Sequence, residues 1–297
     1  MDIATIQDNE LLEEIGRRFE EKASSIEEME FLTKKLLDLN EKSKNAQEVK
    51  SQFLSLVKNE FNNPISSLLN ISSMLSTTND IKKINTLGNL LKIELLTIDF
   101  SLKNIFAASE IEAGEIANDY SKIEIEEVFN EVVAYFDNLI HEKNLTVTLH
   151  NNCEKELISD SQKIYLILLN LISNACEYSY KDQEVTVTLE CGEKSFKLIV
   201  VDSGEGIKEE HCKEIYNRFI HFETGLTRET AGLGLGLSVA KGMCEALGGI
   251  IDNEQKNNST IFIVNIPYVD ESELNLSTAF GSNEFMFDND SDEMVEF

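Results

Sequence analysis

The feature that most constrains this chain is a long run with almost nothing in it to stop a helix. Residues 8–113 contain one proline and very few glycines, and apolar residues recur there at helical spacing. Leu32, Leu36, Leu39, Ser43, Ala46, Lys50, Phe53 and Val57 step alternately by four and three, a heptad seam with polar breaks at Ser43 and Lys50. Such a seam buries little unless a second chain supplies its other side. A coiled-coil helix over residues 1–50 and dimerisation are therefore expected, with a helix packed on its own domain as the alternative. The seam continues into residues 61–76, where Pro64 is expected to bend or locally break the helix, since proline lacks an N–H and crowds the preceding turn. Residues 76–80 (STTND) read as a loop that caps a new helix. Ile81, Ile84, Leu87, Leu91, Leu95, Ile98, Leu102 and Ile105 then form a second apolar stripe, and Gly114 is placed to end it. Two long helices with a short polar turn make an antiparallel hairpin over 51–116, and two hairpins make a four-helix bundle.

After residue 120 the texture changes. Segments 145–149, 184–189, 196–201 and 261–266 read as strands, and 128–140, 163–176 and 239–247 as helices. The expected fold class is α+β: an N-terminal helical hairpin forming a dimeric four-helix bundle, then an α/β two-layer sandwich over 120–268. Residues 269–297 form an acidic tail without lysine or arginine, carrying isolated Phe280, Phe285, Phe287 and Phe297. It cannot bury enough to fold alone, and reads either as a solvated disordered tail or as a docking peptide.

The charge balance excludes some partners. With 54 acidic against 26 basic residues and a net charge of −28, the chain repels phosphate backbones and anionic lipid surfaces, so neither nucleic acid nor membrane insertion is expected. No stretch reaches the ~18–20 apolar residues that a membrane helix needs. The N-terminus lacks the basic-then-apolar order of a signal peptide. The five cysteines are odd in number and widely spaced, which reads as reduced thiols in a cytoplasmic protein. Four scattered histidines add no metal site.

Three motifs carry chemistry. Asp202, Gly204, Gly206 and Ile207 follow an apolar strand; a carboxylate there can accept a hydrogen bond from an exocyclic amine, and the glycines let backbone approach a ligand. Gly232, Gly234 and Gly236 alternate with leucines ahead of a helix, and glycine-rich backbone at a helix N-terminus suits phosphates. Asn170 and Asn174, four apart, share one helical face, and an amide oxygen can ligate Mg²⁺. A tight turn after a strand and a pair of bridging amides are the plainer readings of the first and third motifs.

Taken in order, the asparagine helix, the Asp202 turn, the stretch Asn217, Arg218, Phe219 and the glycine run resemble the four nucleotide-binding boxes of sensor histidine kinases. The wider superfamily includes type II topoisomerases. Residues 53–65 and 109–114 resemble the two helices of that family's dimerisation and phosphotransfer module. The resemblance implies ATP and Mg²⁺ as cofactors. Asp202 would read the adenine amine, Gly204 and Gly206 would shape the base pocket, and Asn174 would hold the metal with Asn170 helping at the phosphates. Residues 221–231 would form a lid anchored by Phe219, and Gly232, Gly234 and Gly236 would approach the phosphates. Arg228 would either neutralise phosphate charge or be a solvated loop cation. Hydrolytic members keep a glutamate where this chain has Asn170, which favours a kinase-type domain.

The departure lies in the first hairpin helix. The family motif begins with the phosphoaccepting histidine; here it reads Asn59, Glu60, Phe61, Asn62, Asn63, Pro64. An amide nitrogen has a delocalised lone pair and is not a useful phosphoryl nucleophile. If Asn59 is natural, ordinary autophosphorylation at this position is excluded. The resemblance then implies a degenerate kinase, a homodimer through the bundle, which docks a response-regulator receiver domain or another kinase in a phosphorelay. Asn63 stands where the family orients water in the phosphatase half-reaction, so Glu60 and Asn63 point to a response-regulator phosphatase. A non-enzymatic dimeric scaffold, or a nucleotide-dependent interaction switch, is the alternative.

Overall fold

The computed structural model describes residues 17, 33–36, 40, 44, 54, 55, 57 and 58, and then 60–114, 116–218, 233–256 and 259–269. The chain divides into two units, Met1–Asn59 and Glu60–Phe297. In the first unit the described residues are helical; of the heptad seam, Leu36 is exposed and Val57 half-buried, and the other seam positions lie outside the described residues. The same holds for Asn59 and for 270–297.

The second unit opens with a helical hairpin. Residues 60–77 form α1, and Ile81–Ala113 form α2. α1 runs through Pro64 without interruption, contrary to the local break its sequence suggests. Proline withholds only one N–H from the ladder, and the side chain is buried where it stands. The turn is shorter than the expected 76–80, because Ser76 and Thr77 stay helical and only 78–80 leave the helix; Asp80 is the N-cap of α2 as expected, its carboxylate accepting from the Lys82 N–H at 3.0 Å. Gly114 ends α2 in the left-handed region at φ 68°, where a side chain would be strained.

The rest of the unit is a two-layer α/β sandwich. Its elements are β1 (Tyr120–Ile123), α3 (Ile125–Tyr135), α4 (Asp137–Lys143), β2 (Thr146–Asn151), β3 (Leu157–Asp160), α5 (Ser161–Tyr178), β4 (Glu184–Cys191), β5 (Ser195–Ser203), α6 (Gly236–Ala246), β6 (Ile250–Lys256) and β7 (Ser259–Pro267). The main sheet has the order β2-β4-β5-β7-β6, parallel at β2–β4 and antiparallel elsewhere; β1 and β3 pair separately. Alternation sets the core. Val185, Val187 and Leu189 of β4, Phe196, Leu198 and Val200 of β5, and Phe262, Val264 and Ile266 of β7 are buried. α5 and α6 pack on that sheet, burying Ile164, Ile167, Leu168, Leu171 and Ile172 together with Val239, Ala240 and Met243.

Three local expectations are corrected. The helix expected over 128–140 is two, α3 and α4, because the chain leaves helical geometry at Phe136 (φ −102°, ψ 14°), whose ring packs edge-on against Phe100 and Tyr135. β6 was not anticipated, since its sequence is mostly polar. The expectation of reduced thiols throughout also fails: Cys153 and Cys191 form a disulfide with Cα atoms 5.1 Å apart. Parallel pairing sets Asn151 opposite Leu189, which brings Cys153 beside Cys191 across 38 residues of sequence. Cys176 and Cys244 are buried and free, and burial pushes each thiol up to about 12.

The hairpin is packed onto this sandwich. Ile111 of α2 stands so close to Gly242 of α6 that a Cβ there would collide with it. The Tyr135 hydroxyl donates to Asp99 at 2.7 Å, and Arg218 pairs with Glu112 at 3.2 Å. No described helix is long and apolar enough to cross a membrane.

Candidate nucleotide site

Asp202 sits near the end of β5, almost fully buried. Burial lifts its carboxyl from the ordinary 3.8 to about 6, opposed by hydrogen bonds from the side chain and backbone of Thr260, its directly paired neighbour on β7. Its Oδ1 is buried and accepts no hydrogen bond from any described residue. Such an acceptor ordinarily costs about 1–3 kcal/mol, so it marks a place for a donor beyond the described residues.

The turn after Asp202 is shaped by close approach. Gly204 bridges to Ser179, and a Cβ on it would collide with the Tyr178 carbonyl. The Tyr180 N–H donates to the Ser203 carbonyl at 2.9 Å, joining the end of α5 to the turn. Gly206 takes φ 76°, which favours glycine. The Ile207 N–H then donates to the side-chain oxygen of Gln255 at 3.1 Å.

α5 carries the two asparagines. Asp160 caps its start, accepting from the Lys163 N–H at 3.0 Å, and also pairs with the buried Lys163 ammonium. The ammonium donates to the Ala117 carbonyl at 2.7 Å. Asn170 is fully buried, and its amide nitrogen donates to the Leu166 carbonyl one turn back at 2.9 Å. Its Oδ1 accepts no hydrogen bond from a described residue and lies 2.8 Å from where a Gly236 Cβ would be, at the start of α6. Asn170 thus meets the glycine run. Asn174, one turn further on, is half-buried.

Gly234 takes φ 63°, and α6 begins at Gly236 behind Leu235, which makes no side-chain cap, so among the described residues no capping side chain meets its first turn. Glu177 follows on α5; burial raises its carboxyl, and Lys143 opposes the rise. The Lys143 ammonium, lowered by burial, caps α5 by donating to the carbonyls of Cys176 (3.0 Å), Glu177 and Ser179 (3.2 Å). Phe219, residues 221–231 with Arg228, and Gly232 lie outside the described residues. On α1, Asn63 is exposed and Glu60 half-buried.

The structure therefore brings together Asp202, Gly204 and Gly206 at one strand end, and Asn170 with Gly236 at the start of α6. Sequence reasoning missed Thr260, Gln255 and Lys143. Thr260 and Gln255 are disclosed only by strand register, and Lys143 only by the packing of α4 against α5.

Known proteins resemble this part of the chain. A family model described as "Histidine kinase-, DNA gyrase B-, and HSP90-like ATPase" matches residues 159–270. The chain is 29% identical over 214 residues to hybrid signal transduction histidine kinase B of Dictyostelium discoideum, covering 70% of this chain and 11% of that protein. It is 30% identical over 154 residues to the sensor protein CiaH of Streptococcus pneumoniae, covering 50% of this chain and 35% of that protein. The chain thus spans only a minor part of these relatives' length. In fold it resembles full-length ShkA, solved in complex with AMPPNP, with a TM-score of 0.54 at 19% identity over 74% of this chain and 46% of that one.

Proposed function

We propose, because the chain belongs to the histidine kinase family, that it is a two-component signalling protein that binds ATP with Mg²⁺. It docks a response-regulator receiver domain or another kinase, and it carries no phosphate on its own first hairpin helix. The observation that carries the ATP reading is the buried Oδ1 of Asp202, which accepts no hydrogen bond from a described residue. An adenine amine would supply such a donor.

The surroundings suit the rest of the nucleotide. The uncapped start of α6 behind Gly234 offers backbone donors to phosphate. Mg²⁺ fits a neutral amide oxygen such as that of Asn174, because this ion keeps several waters and takes its other ligands from phosphates. When bound, it neutralises phosphate charge. Among the described residues no cluster of His, Cys, Asp or Glu suggests a different metal. Asn170 offers no carboxylate base one turn before Asn174, so rapid ATP hydrolysis is not expected.

Asn59 leaves the phosphoacceptor position without a nucleophile. Glu60 and the exposed Asn63 remain beside it on α1, where the amide of Asn63 would orient water toward the phospho-aspartate of a docked receiver domain. A second copy of the chain would cover the apolar side chains that the hairpin leaves exposed, among them Leu69, Met74, Ile81 and Leu95.

Calorimetry with ATP, with and without Mg²⁺, tests the first part against Asp202→Ala. Binding by the parent chain and its loss in the variant are expected; a parent chain that binds no ATP overturns the reading. The lifetime of a phosphorylated receiver domain tests the second, and shortening that depends on Asn63 is expected. Glu177, an acid three residues beyond the metal-side asparagine, favours a second reading: a non-enzymatic dimeric scaffold or nucleotide-dependent switch. Assembly that survives Asp202→Ala would mark the scaffold, and assembly lost with it the switch.

A further inference from the structure

β6 contributes Ile251 to the core, but its two amides are placed for another purpose. The strand alternates, so Ile251, Asn253 and Gln255 share the face that looks toward the helices. Register places Gln255 opposite Thr260 and Thr260 opposite Asp202, a single row crossing three strands. Asp202 begins the glycine turn, and Gln255 holds its end by accepting from the Ile207 N–H at 3.1 Å. The Gln255 amide also occupies the space where a Gly206 side chain would be. One turn is therefore fixed at both ends by one row of the sheet. The next row repeats the device: the Asn253 amide donates to the Cys212 carbonyl and to the Tyr216 hydroxyl, each at 3.1 Å.

We propose that Gln255 is a positioning residue for base recognition, which fixes the Asp202–Ile207 turn and thereby sets the preference for a 6-amino purine over a 6-oxo purine. The inference rests on the reading of Asp202 as the acceptor for the base amine. A carboxylate discriminates only against a base held in one register. A 6-oxo purine presents an oxygen where the carboxylate needs a donor and is rejected while the turn keeps the base in place. When the turn loosens, base and water rearrange and the penalty falls.

The test compares the parent chain with Gln255→Met, which keeps the bulk and loses the acceptor, and Gln255→Glu, which keeps an acceptor. Affinities for ATP and ITP are measured by calorimetry, and exchange of the Ile207 amide by NMR in the nucleotide-free protein. Gln255→Met is expected to speed Ile207 exchange, to weaken ATP binding about three- to tenfold and to lower the ATP-over-ITP ratio by a similar factor. Gln255→Glu is expected to restore slow exchange and most of the ratio, and the thermal midpoints of all three are expected to match. Parental ATP affinity in Gln255→Met overturns the proposal, as does equal weakening of ATP and ITP. A parent chain that binds neither nucleotide overturns the ATP reading and this inference with it, and is distinguished by being seen before any substitution.

Discussion

Thr260 stands directly across from Asp202 on the neighbouring strand and hydrogen-bonds its carboxyl, while Oδ1 accepts from no described residue. Burial and one-sided satisfaction penalise this charge, and the first prediction removes it. Asp202→Asn keeps the shape and discards the charge. The nucleotide-free protein is expected to gain about 1–3 kcal/mol in denaturant unfolding, while ATP binding weakens by about tenfold or more. A variant that loses stability and ATP together would point to a structural role for the carboxylate.

The pH dependence follows from the same group. Its carboxyl titrates near 6 rather than the ordinary 3.8. ATP recognition uses the carboxylate, so affinity is expected to be level above about pH 7 and to fall by roughly tenfold per pH unit well below 6. The nucleotide-free protein moves the other way. The folded state binds this proton more tightly than the unfolded one, so this group makes the fold less stable as pH rises from about 4 to 6. Affinity measured from pH 5 to 8 checks the first sign, and an acid-side unfolding series on parent and Asp202→Asn checks the second.

Thr260→Val removes the hydroxyl and keeps the branched shape. The Asp202 carboxyl loses a hydrogen bond that favours its charged form and climbs further. The midpoint of the pH profile for ATP affinity is expected to move upward relative to the parent. An unchanged midpoint would show that the hydroxyl does not act on the carboxylate.

Two glycines give opposite expectations for alanine. At Gly242 a Cβ meets Ile111, and Gly242→Ala is expected to destabilise by about 1–3 kcal/mol, partly relieved by trimming Ile111. Gly88, inside α2, has open space where a Cβ would go. Gly88→Ala is expected to stabilise the single chain by about 0.5–1 kcal/mol through helix propensity. If a second copy lies over Gly88, the same change weakens the dimer instead, which sedimentation would register.

Reducing the Cys153–Cys191 disulfide, or replacing both cysteines by serine, is expected to cost about 2–4 kcal/mol of stability. ATP affinity should stay at the parental value. Cys191 lies opposite Phe196 near the start of β5, whereas Asp202 lies near its end, so the crosslink and the base site occupy opposite ends of the sheet.

What the sequence disclosed was what local chemistry encodes. Asp80 and Gly114 are visible as caps because each acts within a few residues of itself. The Asp202 turn and the glycines before α6 are visible because tight backbone needs small residues in a row. Phe136 was not legible as a break, since a phenylalanine in an amphipathic run gives no local stop signal and its partner Phe100 lies on another helix. Cys153 and Cys191 were hidden by the parallel β2–β4 pairing that joins them. Thr260 and Gln255 were hidden for the same reason: their role exists only once three strands are in register.

β6 forms one border of the sheet, a position from which unguarded strands recruit other chains. The face opposite Asn253 and Gln255 carries, beyond the exposed Ile250, the charges Asp252, Glu254 and Lys256, with Glu254 and Lys256 paired at 2.8 Å. Those charges make the border a poor template for a foreign strand. The polar composition that concealed β6 in the sequence therefore protects the folded chain from edge-to-edge aggregation, even as it supplies the amides that hold the turn.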